Sequence, residues 1–313
     1  MTGTASKVNQ TSDGLRVQGL DFAYAQAIVL QDITFTLRQG SVGLLGPNGS
    51  GKTTLLRALL GHLPLPREKV NVLGWDMAVN PRAARQRIGW MPERGGIIPG
   101  MSGVAMVAYL GELSGMPERD AMQRAHEVMD YVALGEARYR KCEDYSQGMR
   151  QRLKLAQALV HDPAWIFLDE PTSGLDPKGR VAILKLIHDL ASNKGFGVIL
   201  STHLLPDVEA VCQEILVLRE GQLLSHDVID NQATTARQVF EVEGFGEEEL
   251  FQARLREQGV EITKDGRLTL ITVGSGEGAE MILAAAEATG YALRRLRRQR
   301  LSLADVFYKL VEE

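Results

Sequence analysis

Alternating apolar and polar positions near the start of the chain predict a half-buried β-strand. Ile33, Phe35 and Leu37 are separated by polar residues, so their side chains share one face of an extended segment. The short apolar run 41–45 predicts a buried strand that ends at a glycine-rich segment. Leucines at helical spacing within 53–60 predict that a helix follows this segment directly.

Three later apolar runs, 164–168, 198–201 and 215–218, predict further buried strands. Helical segments separate these runs. Strands that alternate with helices usually form a mostly parallel sheet that is covered on both faces. The sequence therefore predicts an α/β fold for this part of the chain.

Residues 99–142 interrupt this alternation, and their pattern is helical throughout. Pro117 is placed to open a helix, because proline is well tolerated in the first turn. The apolar positions that follow predict one buried helix face: Met122, Ala125, Met129 and Val132. The run 101–113 is also apolar, and core packing or an exposed docking surface would explain it equally well.

Composition divides the chain into three parts. Residues 1–14 are polar and predict a disordered tail, whereas residues 15–231 hold the strands and helices described above. Residues 232–313 predict a separate α+β accessory domain. Its expected elements are strands at 238–243, 267–273 and 291–299, and helices at 247–258, 277–289 and from Leu303.

Composition and charge exclude several classes of protein. The 313 residues carry 35 Lys and Arg against 39 Asp and Glu, a net charge of −4, whereas dedicated nucleic-acid binders usually carry a basic excess. The two cysteines, Cys142 and Cys212, are too few for a disulfide framework or a zinc cluster and fit a reducing compartment. No apolar run approaches the roughly 18 residues that span a bilayer. We therefore expect a soluble chain that reaches a membrane through a partner.

The glycine-rich segment after the strand 41–45 has the composition of a phosphate-binding loop. It consists of Gly46, Pro47, Asn48, Gly49, Ser50, Gly51, Lys52, Thr53 and Thr54. Glycines let backbone N–H groups curl around an anion without a Cβ clash, and the following helix N-terminus adds unpaired donors. Lys52 is expected to reach the β- and γ-phosphates, and the Thr53 hydroxyl to ligate Mg²⁺. The motif predicts a nucleoside triphosphate site.

Two carboxylates follow the apolar run 164–168, at the end of a predicted strand, where α/β sheets bind ligands. We expect Asp169 to hold Mg²⁺ through water. Its neighbour Glu170 is placed to orient and deprotonate the water that attacks the γ-phosphate. The pair would also suit an ordinary acidic turn, but the phosphate-binding loop earlier in the chain favours the metal-and-base interpretation.

The segment 145–153, with the sequence YSQGMRQRL, carries a family resemblance. Ser146 is a good helix N-cap and the apolar positions after it have helical spacing, which predicts a second helix N-terminus suited to phosphate. The segment resembles the signature of ABC transporter ATP-binding subunits. Together with the loop and the carboxylates, it makes about residues 15–230 resemble such a subunit. The resemblance implies an α/β fold, a P-loop NTPase of ABC type with an antiparallel β subdomain, a helical subdomain at about 94–145 and a small C-terminal α+β domain.

The resemblance also implies roles for residues outside the loop. Ser146 and Gly148 would face the ATP held by an opposite subunit, so that two chains enclose two ATP molecules head to tail. Asp176 would belong to a loop that crosses this dimer interface. His203 would contact the γ-phosphate, and Tyr24 would stack on adenine.

The chain departs from the family pattern at two places. Glu93 stands where glutamine is usual; it keeps an oxygen for Mg²⁺ and water but adds a negative charge. The signature has Tyr145, Gln147 and Met149 where leucine, glycine and glutamine are commonest. Similar glutamate versions occur in exporter-type members of the family, so we do not interpret the site as inactive.

By this resemblance the chain is an ATP-hydrolysing subunit that powers a transporter, with ATP and Mg²⁺ as its ligands. Its expected partners are a transmembrane permease on a separate chain and a second ATPase subunit, with a homodimer favoured, and no nucleic acid. Its expected place is the cytoplasmic face of the cell membrane. The segment 301–307 resembles the closing segment of the ABC-2 exporter group, which favours export over import.

Two other functions stay open at the level of sequence. A soluble ABC ATPase would act on nucleic acid or the ribosome, although such chains usually have two cassettes, coiled-coil insertions or zinc cysteines. A nucleotide switch would dimerise on ATP without hydrolysing it. Glu170 and His203 argue against the switch, whereas Glu93 leaves it open.

Overall fold

The chain forms two compact units. The computed structural model describes residues 14–25, 27–229, 238–258, 260–265, 268–273 and 278–299. The units are divided between Ile229 and Asp230. Residues 1–13 of the expected tail, the segment 301–307 and the expected helix from Leu303 lie outside the described residues.

The first unit alternates strands and helices along most of its length. Its described strands are β1 (Leu15–Tyr24), β2 (Ala27–Leu37), β3 (Ser41–Leu45), β4 (Val70–Val72), β5 (Trp75–Asp76), β6 (Ile88–Met91), β7 (Trp165–Asp169), β8 (Gly197–Thr202), β9 (Glu214–Arg219) and β10 (Gln222–Val228). Its described helices are α1 (Lys52–Leu59), α2 (Pro81–Arg85), α3 (Gly103–Leu113), α4 (Glu118–Tyr131), α5 (Gln147–Leu159), α6 (Pro177–Ser192) and α7 (Leu205–Val211). Short 3₁₀ turns at Gly135–Tyr139 and Cys142–Asp144 precede α5.

A mostly parallel sheet forms the centre of this unit. Among the described residues its strand order is β10-β9-β3-β8-β7-β6, in which β10 is an antiparallel edge strand and the others are parallel. Every residue of β3, β7 and β8 is buried, as expected for parallel strands that are covered on both faces. The parallel α/β sheet predicted from the sequence is therefore confirmed.

A smaller antiparallel sheet belongs to the same unit, with the order β2-β1-β4-β5. β1 and β2 pair so that Leu15 lies opposite Leu37. Ile33, Phe35 and Leu37 are all buried, which confirms the face predicted from their alternation. They share one hydrophobic core with leucines of α1 and with Phe167 of β7. This shared core joins both sheets and α1 into one body. Each such buried side chain contributes about 1.5–3 kcal/mol to the stability of the fold.

Helix α4 begins after Pro117, as predicted, but its apolar face differs from the prediction. Its buried residues are Ala121, Ala125, Val128 and Met129. The predicted place of Met122 in this face is wrong, because the buried stripe passes through Ala121 and leaves Met122 39% exposed. Every helix in the described part of the chain falls short of the length and apolar character that crossing a bilayer requires.

Helix α3 buries some of the apolar side chains of the run 101–113 and exposes others. Ser102 caps the helix, and its Oγ accepts the N–H of Ala105 at 3.4 Å. Val104, Met106, Val107 and Ala108 of α3 are buried in the unit. Tyr109 and Leu113, in contrast, are 41% and 65% exposed, so one side of the helix keeps apolar groups in solvent.

The second unit has an α+β fold of its own. Its described elements are β11 (Gln238–Phe245), α8 (Glu248–Arg256), β12 (Glu261–Asp265), β13 (Leu268–Val273), α9 (Gly278–Thr289) and β14 (Ala292–Gln299). The described strands form an antiparallel sheet in the order β12-β13-β11-β14, a βαββαβ arrangement. Phe240 and Ile271 of the sheet share a core with Phe251 of α8 and Ile282 of α9. The sequence did not predict β12, because its segment EITKD has a single apolar residue.

Candidate active site

The candidate site segments follow four neighbouring parallel strands. The loop 46–54 follows β3, Glu93 follows β6, Asp169 ends β7 and His203 follows β8. Because the carboxyl ends of parallel strands lie at one edge of a sheet, residues far apart in sequence meet at that edge.

Close packing and backbone conformation both require glycine in the loop 46–54. A Cβ on Gly46 would lie 2.1 Å from the carbonyl oxygen of Leu218. Gly49 and Gly51 have φ angles of 83° and 105°, which glycine adopts without the strain that a Cβ would cause. A Cβ on Gly49 would meet nothing within 4 Å, so the space beside it is open, as a phosphate cradle requires.

Lys52, the first residue of α1, is held inside this loop and is 6% exposed. Its ammonium donates to the carbonyl oxygens of Gly46 at 2.7 Å and Pro47 at 3.1 Å. Burial lowers the pKa of Lys52 below its ordinary value, and nearby carboxylates, Glu170 foremost, oppose this change. The loop therefore contains a buried ammonium that is aimed by backbone carbonyls and suits an anionic ligand.

Asp169 is buried and accepts two hydrogen bonds from hydroxyl groups. Thr53 Oγ1 donates to Oδ2 at 2.8 Å, and Ser201 Oγ donates to Oδ1 at 2.8 Å. Asp169 is 2% exposed, and the two bonds orient its carboxylate toward α1. A hydroxyl and a carboxylate held together at a strand end are oxygen ligands of the kind that Mg²⁺ binds together with water. The residues present therefore fit this metal.

Glu170 and His203 form a hydrogen-bonded pair next to Asp169. Nδ1 of His203 lies 3.0 Å from both carboxylate oxygens of Glu170. The backbone of Glu170 has a φ of 49°, and its N–H donates to the carbonyl oxygen of Ser201 at 2.9 Å. The side chain of Glu170 is 11% exposed and that of His203 is 43% exposed. The carboxylate is therefore shielded, while the imidazole can be reached by a ligand.

Glu93 and Tyr24 are both partly exposed to solvent. The side chain of Glu93 is 41% exposed, and its carboxylate lies 3.5 Å from the guanidinium of Arg94. Its charge also acts on Lys52, whose pKa it tends to raise. Tyr24 is 42% exposed at the end of β1, where its ring meets Phe22 edge-on with centroids 4.9 Å apart. Both side chains are therefore accessible to a ligand.

Ser146 belongs to a second group of residues, at the start of α5. It caps the helix, and its Oγ accepts the N–H of Met149 at 3.3 Å. The amide of Gln147 donates to the carbonyl oxygen of Ser173 at 3.3 Å, and the amide of Gln151 donates to the same oxygen at 3.3 Å. The start of α5 is therefore attached to the segment that follows Glu170 in sequence.

Gly148 and Asp176 complete this second group. A Cβ on Gly148 would lie 3.9 Å from the side chain of Leu175. Asp176 caps α6 by accepting the N–H of Gly179 at 3.1 Å. Within one chain, the hydrogen bonds that these residues make therefore support the starts of two helices. The loop 46–54, Asp169, Glu170 and His203 form the first group, and the backbone N–H of Ser173 links the two groups by donating to the carbonyl oxygen of Glu170 at 3.1 Å.

Sequence reasoning missed two residues that organise the site. Ser201 is fully buried and orients Asp169, and a polar residue at the end of an apolar run, two positions before His203, was the signal that could have identified it. Lys154 is 6% exposed and donates to the carbonyl oxygen of Glu93 at 2.7 Å. It gave no signal, because lysine in an amphipathic helix is mostly found on the solvent face.

Comparison with known sequences places the chain among ATP-binding proteins of transporters. The sequence profile of the family described as ABC transporter matches residues 30–173. The chain is 35% identical over 210 residues to "Uncharacterized ABC transporter ATP-binding protein YxlF" of Bacillus subtilis, covering 67% of this chain and 69% of that protein. It is 32% identical over 212 residues to "Linearmycin resistance ATP-binding protein LnrL" of the same organism, covering 67% and 68%. It is 31% identical over 215 residues to "Nod factor export ATP-binding protein I" of Bradyrhizobium diazoefficiens, covering 68% and 70%.

Solved structures agree with these sequence relatives. An ATP-binding subunit of an ABC transporter superposes with a TM-score of 0.62 at 27% identity, covering 69% of this chain and 90% of that chain. The ATP-binding cassette MJ0796, solved as a dimer bound to ADP and Pi, gives a TM-score of 0.62 at 22% identity, covering 68% and 98%; at that identity it shows the fold alone. The P-loop NTPase fold of ABC type is therefore confirmed. Its sequence relatives and its fold show that the chain belongs to the ABC transporter family as an ATP-binding protein.

Proposed function

We propose that this protein hydrolyses ATP to power a membrane exporter, and that ATP closes two copies of it head to tail. As a member of its family, the chain binds ATP. The observation that carries the proposal is that the site residues stand on two different sets of elements. Lys52 and Glu170 stand in one group at the edge of the sheet, whereas Ser146 starts a different helix of the same chain.

In this proposal the loop 46–54 holds the phosphates of ATP. Its backbone N–H groups and the dipole of α1 face the anion, and Lys52 reaches the β- and γ-phosphates. Thr53 and Glu93 would supply oxygen ligands for Mg²⁺, and Asp169 would hold the ion through water. When bound, Mg²⁺ would neutralise negative charge on the phosphate oxygens. Tyr24 would stack on the adenine ring from the end of β1.

Glu170 and His203 are the proposed catalytic pair. Glu170 orients the attacking water and accepts its proton, because a shielded carboxylate beside the γ-phosphate is a suitable general base. His203 holds Glu170 through Nδ1, and its exposed ring contacts the γ-phosphate. The shared hydrogen bond makes the two side chains one unit, so displacing either one displaces the other.

The second group of residues completes the site of the opposite copy. Ser146 and Gly148 of each chain contact the γ-phosphate held by the loop of the other, and Asp176 lies at the interface between them. Since this contact forms only in the closed dimer, ATP shifts the equilibrium toward closure. Cleavage of the γ-phosphate removes the shared contact, and the dimer opens.

A separate transmembrane permease would convert this cycle into transport. The exposed Tyr109 and Leu113 on α3 offer one apolar surface for it, on the cytoplasmic face of the membrane. Export is supported by the name of one relative, a Nod factor export ATP-binding protein, and a second relative is named a linearmycin resistance protein. We assign residues 232–313 to an accessory domain of this ATPase subunit.

The test is ATP-driven dimerisation, measured by light scattering during size-exclusion chromatography. The Glu170→Gln chain should double in mass with ATP and Mg²⁺ but not with ADP. Adding Ser146→Arg to that chain should prevent the doubling, whereas Ser192→Arg, at an exposed serine on α6, should permit it. A single-copy mass at saturating ATP would refute the head-to-tail arrangement. Association with ribosomes or nucleic acid in place of a permease would favour the soluble ABC ATPase.

A further inference from the structure

Lys154 is a buried cation that has no role in the function proposed above. It lies on α5 about two turns after Ser146 and is 6% exposed. Its ammonium donates to the carbonyl oxygens of Glu93 at 2.7 Å and Pro92 at 3.1 Å. A buried ammonium is costly unless it is hydrogen-bonded, and its bonds are stronger than those of neutral donors. The two bonds therefore hold the start of the segment 92–96 against α5.

Two further contacts attach the same part of the chain to α5. The amide of Gln157, one turn after Lys154, donates to the carbonyl oxygen of Gly96 at 3.0 Å. A Cβ on Gly89 in β6 would lie 2.1 Å from the carbonyl oxygen of Ala158, so the strand that precedes the segment packs directly on the helix. Residues three and four apart share one face of a helix. Lys154, Gln157 and Ala158 can therefore all contact β6 and the segment 92–96.

We propose that Lys154 is a positioning residue that fixes the Glu93 carboxylate relative to Ser146. Glu93 faces the nucleotide of its own chain, while Ser146 faces the nucleotide of the opposite chain. The Lys154 bonds make the segment 92–96 and α5 one body, so a shift of α5 upon contact with one ATP moves Glu93 at the other. This inference deepens the proposed function and rests on its assignment of Glu93 to the metal.

The first test uses a protease site that lies within the held segment. The Arg94 side chain is 91% exposed, and trypsin cleaves the bond that follows it only when the local backbone can leave α5. Lys154→Met keeps the length of the side chain and removes its donors. It should speed cleavage after Arg94 about tenfold, the loss expected for charged hydrogen bonds. Lys154→Arg, which retains donors, should stay near the wild-type rate.

The controls separate local release from general unfolding. Lys185→Met removes an exposed lysine on α6 and should leave cleavage after Arg94 unchanged. Cleavage after Lys185 itself should stay slow in Lys154→Met, which shows that the fold is intact. Gln157→Ala removes the other bond to the segment and should also speed cleavage after Arg94. A rate within twofold of wild type in Lys154→Met would overturn the proposal, whatever the rate of Gln157→Ala.

The second test measures ATP affinity with Mg²⁺ and with a chelator, using a fluorescent ATP analogue. Lys154→Met should lose at least threefold of the Mg²⁺-dependent gain in affinity, while its metal-free affinity stays unchanged. Faster cleavage with an unaltered Mg²⁺ gain would overturn the link to Glu93. Failure of the proposed function looks different, because the wild-type chain itself would then show no Mg²⁺-dependent ATP binding, and the positioning role would be refuted with it.

Discussion

The carboxylate of Glu170 meets Nδ1 of His203 with both of its oxygens at 3.0 Å. Two neighbouring parallel strands create this pair, because Glu170 follows β7 and His203 follows β8. Glu170 also adopts a φ of 49°, which costs a residue with a Cβ on the order of 1 kcal/mol or more. The bond from its N–H to Ser201 helps to maintain this conformation. The pair is therefore set by the fold of the strands.

Glu170→Gln should lower the turnover of ATP by about 10²-fold or more, because the amide cannot accept the proton of the attacking water. ATP binding should be retained, since the loop 46–54 is untouched. Phosphate release under saturating ATP measures the turnover. Glu209→Gln, at an exposed glutamate on α7, is the matched control and should hydrolyse at the wild-type rate. Near wild-type turnover in Glu170→Gln would remove Glu170 from the role of base.

His203→Ala should lower kcat by about 10–10²-fold with a smaller change in KM, because it releases the carboxylate of the proposed general base. If the two side chains act as one unit, the double variant with Glu170→Gln should be little slower than Glu170→Gln alone. His188→Ala, at an exposed histidine on α6, is the control. Fully additive losses in the double variant would show that the observed hydrogen bond has no catalytic role.

Lys52→Ala should weaken ATP binding by about tenfold or more, because hydrogen bonds to charged groups contribute about 1.5–3 kcal/mol each. Isothermal titration with ATP and Mg²⁺ measures the change directly. Lys185→Ala removes a lysine from the surface of α6 and should bind ATP like the wild-type chain. An unchanged affinity and an unchanged rate in Lys52→Ala would defeat the assignment of the loop as a phosphate cradle.

Glu93→Gln should reduce the dependence of ATP affinity on Mg²⁺. In the proposed function the glutamate would place a negative charge near the phosphates, which would repel free ATP but attract the metal. Its removal should therefore tighten metal-free binding and weaken the gain that Mg²⁺ provides. Titrations of ATP with Mg²⁺ and with a chelator measure the metal-dependent and metal-free affinities. Glu112→Gln, at an exposed position on α3, is the control. Identical ratios in wild type and Glu93→Gln would mean that the charge is incidental.

The sequence predicted the elements whose signals are local. β3 and the loop 46–54 were readable because an apolar run, a glycine pattern and leucines at helical spacing are consecutive. The buried face of Ile33 and Phe35 was readable for the same reason. Met122 was misplaced because helical spacing alone allows adjacent stripes, and packing partners decide which one is buried. β12 was missed because pairing with β13, and not its own composition, makes it a strand.

The arrangement of the site depends on contacts that no local pattern contains. The meeting of Thr53 with Asp169 requires β3 and β7 to lie in one sheet with β8 between them. The burial of Lys154 depends on β6 packing against α5. Residue types at motif spacing indicate which chemistry is present, whereas the pairing of distant strands decides which of those residues form one group.

His161 should make the stability of the first unit depend on pH. Burial lowers its pKa below the ordinary value of 6.5, although its bond to the carbonyl oxygen of Ile88 at 3.1 Å opposes this change. The folded chain then binds fewer protons than the unfolded chain, so this contribution is present above pH 6.5 and is lost as the pH falls toward the folded pKa. Urea unfolding between about pH 7 and about pH 5 should show a steeper loss of stability for wild type than for His161→Gln, which cannot titrate. His188→Gln, at an exposed histidine, should keep the wild-type slope. Equal slopes in wild type and His161→Gln would show that the imidazole is as easily protonated in the fold as in the unfolded chain.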